Sequence, residues 1–419
     1  MTENTNPEER FPMNWKVLLG ILTITAMMMS ASYTMLVPFL PLYLTQELGV
    51  SDHVNLWSGA IFSVTFVFSA IMAPIWGAMS DRGSRKMMAI RSAVLLALTY
   101  TLGGLVQTPF QLFLVRVLQG FAAGLWPALL SLMSSNCPQR KIGFAMGIMQ
   151  GALTAGHVIG PLAGGVLAQY LGMRFSFFTG GAALFTITLV ILFAVREKPR
   201  DRKAAPASIP LSGPRRSSLF KIPVISALLV AAALTQTSIT VSMPIFTYYV
   251  GELLGTTDHL VAISGYVFAV LGIAGVIASP IWGWVGQSIG FKPVLLVSML
   301  GAGIFAIVSA LPGVLEPFVL LRFIGGLAFA GIFPAINAML TRYSPVTDRG
   351  RVFGVSFSVQ QAGSIVGPLL GGAVASFMTL QSVMIFSGIV QLAAFTHIWL
   401  VRSRFSKPEA EQTLGVPRN

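Results

Sequence analysis

GIMQGALTAGHVIGPLAGG (residues 147–165) carries six glycines, a proline and a histidine, and not one charged side chain. In water this composition argues against a helix, since an interior glycine costs about 1 kcal/mol and a proline about 3 kcal/mol relative to alanine. The stretch is nevertheless too apolar for a surface loop. In lipid the balance reverses: backbone amides find no water to bond, so helix is enforced, and small residues let neighbouring helices approach closely. Gly156, Gly160 and Gly164 recur every four residues and form one smooth stripe. Pro161 lacks an amide hydrogen and clashes with the carbonyl of His157, so a bend is expected there.

The rest of the chain supports the lipid reading. Its 419 residues are 54% hydrophobic and 10% charged, with mean hydropathy +0.77. A water-soluble globule of this length needs more polar surface than that. Long windows with few or no charges read as transmembrane helices. They fall at 16–44, 55–80, 87–107, 110–133, 142–169, 175–195, 222–250, 259–285, 293–312, 316–340, 352–377 and 381–401. The expected fold is therefore all-α and integral to the membrane, with twelve spanning helices. The first window is too long for a signal-peptide core and no convincing cleavage site follows it, so it reads as a retained span.

A net charge of +13 raises the question of nucleic acid, which the distribution of the charge answers. With both ends placed inside, all 27 Lys and Arg residues except Arg116, Arg174 and Arg322 fall in cytoplasmic segments. That asymmetry orients the chain with both termini cytoplasmic. Anionic lipid headgroups, not nucleic acid, are the expected partner of the basic surface. Cys137 is the single cysteine, so neither an intrachain disulfide nor a cysteine metal site is available, and no cofactor is expected.

The polar stretch 196–221, rich in Pro, Ser and basic residues, reads as a cytoplasmic linker. It separates a six-helix bundle at 16–195 from a second at 222–401, with cytoplasmic tails at 1–15 and 402–419. The bundles are copies. At an offset of 206 Pro38 falls on Pro244, Tyr43 on Tyr249, Gly49 on Gly255, Asp52 on Asp258, His53 on His259 and Arg116 on Arg322. The sequence PIWG recurs at 74 and 280, and at offset 207 GHVIGPLAGG falls on GSIVGPLLGG. Duplicated halves with a site between them near the membrane midplane are a transporter architecture.

Gly147, Gly156, Gly160, Pro161, Gly164 and Gly165, repeated as Gly354, Gly363, Gly367, Pro368, Gly371 and Gly372, resemble the fifth-helix antiporter motif of the major facilitator superfamily. GAMSDRGSRKMM (77–88) is similar to that family's motif between helices 2 and 3, supplying Gly77, Asp81, Arg82, Arg85 and Lys86. It departs from the pattern at Ser84, and the second-half copy has Gln287 in place of the acid. LVRVLQG, with Arg116, Gln119 and Gly120, resembles the fourth-helix motif. Within the superfamily the chain looks most like bacterial twelve-helix drug:proton antiporters of the MdtG-like multidrug group. The resemblance implies export by alternating access, driven by protons, from a bacterial inner membrane, by a monomer.

The residues add their own arguments. Asp81 beside Arg82, Arg85 and Lys86 can form an ion-pair network holding an inner gate, or simply a basic loop that sets topology. Arg116 would cost about 2.5–3.5 kcal/mol at a helix centre, so Arg116 and Arg322 should face a polar cavity, unless they snorkel toward the outer surface. His157 suits proton exchange, although a lone helix histidine is also a common structural hydrogen-bonder. Every one of the 14 carboxylates lies in a loop, a terminus or near a helix end. Coupling is then left to Asp81, Glu47, Glu252 or His157. Candidate cavity lining is Met27, Met28, Met29, Tyr33, Trp126, Gln150, Gln236, Tyr248, Asn337, Gln360 and Gln361, because methionines and aromatics adapt to varied apolar ligands and amides add scattered hydrogen bonds. This favours small amphiphilic compounds as substrates. The alternative is a dedicated exporter of an anionic metabolite such as a carboxylate siderophore, motivated by the two buried arginines. No Walker loop, zinc cluster or Ser-His-Asp arrangement points to an enzyme, and nothing resembles a soluble signalling domain.

Overall fold

The computed structural model describes residues 13–138, 141–197, 222–344 and 349–405. The linker beyond residue 197 and the distal parts of both tails lie outside these described residues. Twelve long helical segments run through the described chain: α1 (Trp15–Thr34), α2 (Val54–Arg82), α3 (Arg85–Leu105), α4 (Pro109–Ser135), α5 (Ile142–Leu171), α6 (Met173–Ala194), α7 (Pro223–Leu254), α8 (Leu260–Ile289), α9 (Phe291–Val308), α10 (Leu315–Tyr343), α11 (Arg349–Phe377) and α12 (Leu380–Leu400). Eleven are long and apolar enough to cross a membrane. The exception, α11, is 29 residues long and more polar, and it packs between α7 and α2. A helix enclosed by protein needs less apolar surface than one facing lipid.

The pairing of helices repeats between the halves. α1 packs on α5 as α7 packs on α11, and α3 on α6 as α9 on α12. Across the halves, α2 meets α11 and α8 meets α5. Even the turns are copied. His53 (φ 53°) and His259 (φ 55°) both adopt the left-handed conformation just before α2 and α8, and Gly49 (φ 66°) and Gly255 (φ 68°) share it four residues earlier or so. Tyr43 Oη donates to Gly103 O at 2.9 Å, and Tyr249 Oη donates to Ala310 O at 3.1 Å.

The glycine stripe has the packing role its spacing suggests. A Cβ at Gly156, Gly160 or Gly164 would overlap the α1 backbone at Met27, Ala31 and Met35. In the second half, Gly363, Gly367 and Gly371 press in the same way on α7 at Ala233, Thr237 and Val241. α5 runs helical through Pro161 and α11 through Pro368, so neither proline ends its helix. The helices α4 and α10 are each interrupted: α4 at Ala123–Gly124, with Gly124 at φ 121°, and α10 at Ala330–Gly331.

The chain thus has a basic end, where α1 starts, and a far end opposite. Close approaches between halves gather toward the far end. Gly165 lies against Val261 and Ala262, and Gly372 against Asn55 and Gly59. Asn55 Nδ2 donates to Ala375 O at 3.1 Å, and Tyr248 Oη donates to Pro41 O at 2.7 Å.

Candidate functional site

A cavity of about 460 Å³ opens within the first bundle. Its wall is built by α1 (Met29, Ser30, Tyr33), α2 (Thr65, Phe66, Ser69, Ala73, Trp76), α3 (Met88, Arg91, Leu96, Tyr100), α4 (Gln119, Ala123 to Ala128, Ser131) and α5 (Leu153, His157). Phe357 and Gln361 of α11 close it from the second half. The lining extends from Tyr100 and His157 in the helix interiors to Trp76, Met88 and Ser131, close to the basic end. Among the described residues the wall holds no carboxylate.

The break in α4 shapes this wall. It frees backbone carbonyls, and two side chains take them up. Trp76 Nε1 donates to Phe121 O at 2.9 Å, and Arg91 Nη2 donates to Ala123 O at 3.3 Å and to Ser92 Oγ at 2.8 Å. The Arg91 guanidinium carbon lies 3.4 Å from the centre of the Trp76 ring. The charge count placed Arg91 in a cytoplasmic segment, although the window 87–107 includes it; it stands on α3, six residues past the helix start. The signal for its true place was the apolar run that begins at Met87 and encloses it.

Arg116 is 4% exposed, which rules out snorkelling. Its Nη1 donates to Gln119 Oε1 at 3.0 Å, leaving Nε, Nη2 and Gln119 Nε2 as buried polar atoms without a partner in the structure. Gln119 reaches the cavity wall, and Arg116 stands behind it. Arg322, half-buried, instead lies 4.7 Å from the Phe246 ring centre and 5.8 Å from that of Phe318, beside a pocket of only about 100 Å³. His157 is exposed to the cavity, with Nδ1 2.8 Å from both Ser30 Oγ and Leu153 O.

Of the lining residues expected from sequence, the cavity wall brings together Met29, Tyr33, Trp126 and Gln361. It does not gather the others. Gln236 Nε2 donates to Ser364 Oγ at 3.0 Å, tying α7 to α11. Gln360 Nε2 turns back to Ser356 O at 3.2 Å, one turn away on its own helix. Tyr248 is a seam residue between halves, with Thr45 Oγ1 also 3.2 Å from its hydroxyl. Gln150 and Asn337 are exposed and outside the wall.

The carboxylates considered for coupling also resolve. Glu47 Oε2 accepts Arg174 Nε at 2.8 Å, while Arg174 Nη1 donates to Gly104 O and Val106 O, so this acid is committed to a far-end clamp. Glu252 is exposed beside the far-end turn. Gly77, Asp81 and Arg82 lie on the last turns of α2, and their side chains fall outside the described residues. Glu197 is a residue the sequence reading passed over: its carboxylate accepts the amides of Arg85 (3.0 Å) and Lys86 (3.1 Å) and the Ser84 hydroxyl at the start of α3. An acid at a helix N-terminus meets four free amides and the positive end of the dipole. Lys86 Nζ donates to Leu192 O at 2.7 Å, so the α2–α3 turn is tied to the end of α6.

The family model for the Major Facilitator Superfamily matches residues 22–246 and 228–418. The chain is 34% identical over 408 residues to the multidrug resistance protein MdtG of Dickeya zeae, covering 96% of this chain and 98% of that protein. It is 35% identical over 392 residues to MdtG of Proteus mirabilis (92% and 96%), and 33% over 389 residues to MdtG of Klebsiella pneumoniae (90% and 93%). Among solved structures it matches the nucleoside transporter NupG with a TM-score of 0.78 at 17% identity, over 94% of this chain and 100% of that one. A bacterial homologue of the lysosomal transporter Spinster, in an inward-facing and occupied conformation, also matches with a TM-score of 0.78 at 17% identity (96% and 98%).

Proposed function

The chain belongs to the major facilitator superfamily, and we propose that it exports small amphiphilic compounds by alternating access, in exchange for protons. The observation that carries this reading is the cavity itself: roomy, lined by six aromatic side chains and the methionines Met29 and Met88, and sealed at the far end by glycine-packed helix pairs. Such walls accept varied apolar ligands while a few amides and hydroxyls orient them. The multidrug names of the MdtG relatives agree with it.

We assign the basic end to the cytoplasm from the excess of Lys and Arg there, with both termini on the cytoplasmic side of the cell membrane. The far-end seam is then the closed outer gate, and the cavity awaits substrate from within. Rocking of the two bundles opens the seam and closes the basic end, where Asp81, Arg82, Arg85 and Lys86 form the inner gate. The glycine faces of α5 and α11, at Gly156, Gly160, Gly164 and Gly165 and at Gly363 and Gly367, provide smooth surfaces for that movement, with Pro161 and Pro368 weakening the helices between them. His157 is assigned the coupling proton: a protonated imidazole in the cavity and an amphiphile there compete for the same space and polarity, which is the requirement for antiport. Tyr33, Trp126 and Gln361 are assigned to substrate contact. Arg116 and Arg322 are fixed charges of the two halves. No cofactor is invoked, and the chain acts as a monomer among anionic lipids.

The test is transport in proteoliposomes across an imposed pH gradient, using a fluorescent amphiphile, with His157→Gln and Asp81→Asn alongside. Gradient-driven movement that His157→Gln abolishes is the expected result. Equal movement with and without the gradient would contradict antiport.

A further inference from the structure

Arg91 is a formal charge on the cavity wall with neutral company. Its neighbours are the Trp76 ring, Ser92 Oγ and Ala123 O, and its Nε and Nη1 are buried polar atoms without a partner. Among the described residues the ion pair found is Arg174 with Glu47, at the far end. Among the described residues no acid offsets Arg91, and Arg116 stands one layer back from the same wall, behind Gln119.

A cationic amphiphile is ordinarily attracted to a binding cavity by an acid or by an open aromatic face. Here the described wall holds no acid, and the guanidinium covers a face of Trp76, leaving Tyr33, Phe66, Tyr100, Trp126 and Phe357 as the other rings of the wall. Like charges near a low-dielectric wall repel strongly, and an unpaired charge is a standard means of rejecting one ligand class while admitting another.

The second half shows that the scaffold does not require this arginine. At the matching position stands Val297, yet Trp282 Nε1 still donates to Leu327 O at 2.7 Å, as Trp76 does to Phe121 O. There the indole lies so close to the backbone that a Cβ on Gly331 would come within 2.8 Å of Trp282 Cγ. Holding the tryptophan is thus accomplished without a charge, and the charge calls for another role.

We propose that Arg91 is a specificity-determining residue of the cavity, a charge filter that rejects permanently cationic amphiphiles and admits neutral ones of the same shape. The proposal rests on the export reading only in taking this cavity as the binding site.

The test is equilibrium binding to the purified full-length protein in detergent, using a pair of fluorescent amphiphiles that share one ring system, one neutral and one carrying a quaternary ammonium. The wild type is expected to bind the neutral compound about tenfold or more tighter. Arg91→Val should bring the two affinities within about threefold of each other, and Arg91→Lys should keep the gap because the charge remains. If Arg91→Val does not fold, Arg91→Gln serves in its place. Equal or tighter binding of the quaternary compound by the wild type overturns the proposal, as does a gap that survives loss of the arginine. Transport of the neutral compound, measured on the same variants, separates the two readings. Charge discrimination without any export would sink the exporter and leave the filter; export without discrimination would sink the filter alone.

Discussion

Arg116 and Arg322 occupy the same place in the duplicated half, 206 residues apart, and their surroundings have diverged. Arg116 has Gln119 one turn on; Arg322 has Gly325 and two phenylalanine rings. Around Arg116, Tyr33, Tyr100 and His157 border a large cavity, and the matching positions around Arg322 are Ile239, Ala306 and Ser364. What the halves keep is skeleton: the tyrosine bonds at Tyr43 and Tyr249, the tryptophan bonds at Trp76 and Trp282, the glycine faces of α5 and α11. What differs is the space and what faces it: a large cavity bordered by Tyr33, Tyr100 and His157 in the first half, and a small pocket bordered by Arg322, Gln391 and four serines in the second.

This asymmetry can be broken, starting from the shared skeleton. Gly160→Leu and Gly367→Leu both force a side chain into the helix opposite, against Ala31 and Thr34 in one case and Thr237 and Thr240 in the other. Overpacking costs about 1–3 kcal/mol where side chains can yield and more against backbone. Both variants should lose the monodisperse peak in detergent size-exclusion chromatography to a similar degree; survival of one alone would mean the two faces are not equivalent.

The next largest effect should separate the halves. His157→Gln is expected to cut gradient-driven export at least about tenfold, in keeping with loss of a general proton carrier, with amphiphile binding retained. Ser364→Ala, its counterpart, should change export less than about twofold. Comparable losses would make the second half a partner in coupling. Arg116→Gln against Arg322→Gln sharpens the same point: removing the more buried charge should alter cavity binding by roughly tenfold, and removing the ring-stacked one by only a few-fold.

The smallest effect lies at the seam. Tyr248→Phe removes one hydrogen bond across the halves, worth about 1 kcal/mol, and should shift the open and closed far-end populations by roughly fivefold. Spin-label distances between α2 and α8 at that end would report it. An unchanged distribution would remove Tyr248 from the gate.

The helices were legible because lipid imposes one simple rule, and eleven of the twelve apolar windows found their helix within a few residues; the first, 16–44, is split, α1 ending at Thr34 and a short helical stretch following at Leu40–Glu47. The duplication was legible from side chains that fix turns, such as His53 and His259. The cavity was only partly so. Residues such as Gln236 and Tyr248 have the polarity of ligand contacts, but in an apolar interior the same polarity serves equally to bond one helix to another, and sequence does not distinguish the two. Arg91 was read as a topogenic charge because charge counts ignore where a helix begins. Glu47 was read as a coupling candidate because its partner, Arg174, lies 127 residues away. Glu197 was hidden in a basic linker, where composition masks a single capping acid.

The claim that the first bundle holds the transport cavity is tested most directly by substrate protection. With the sole native cysteine removed by Cys137→Ser, single cysteines are placed at Met29 or Ser131 on the large cavity, and at Ser242 or Ser309 on the smaller pocket. Each is labelled with a membrane-permeant maleimide in the presence and absence of an exported amphiphile. The account predicts that substrate slows labelling at Met29→Cys and Ser131→Cys and leaves Ser242→Cys and Ser309→Cys unaffected. Protection confined to the second-half positions would contradict it.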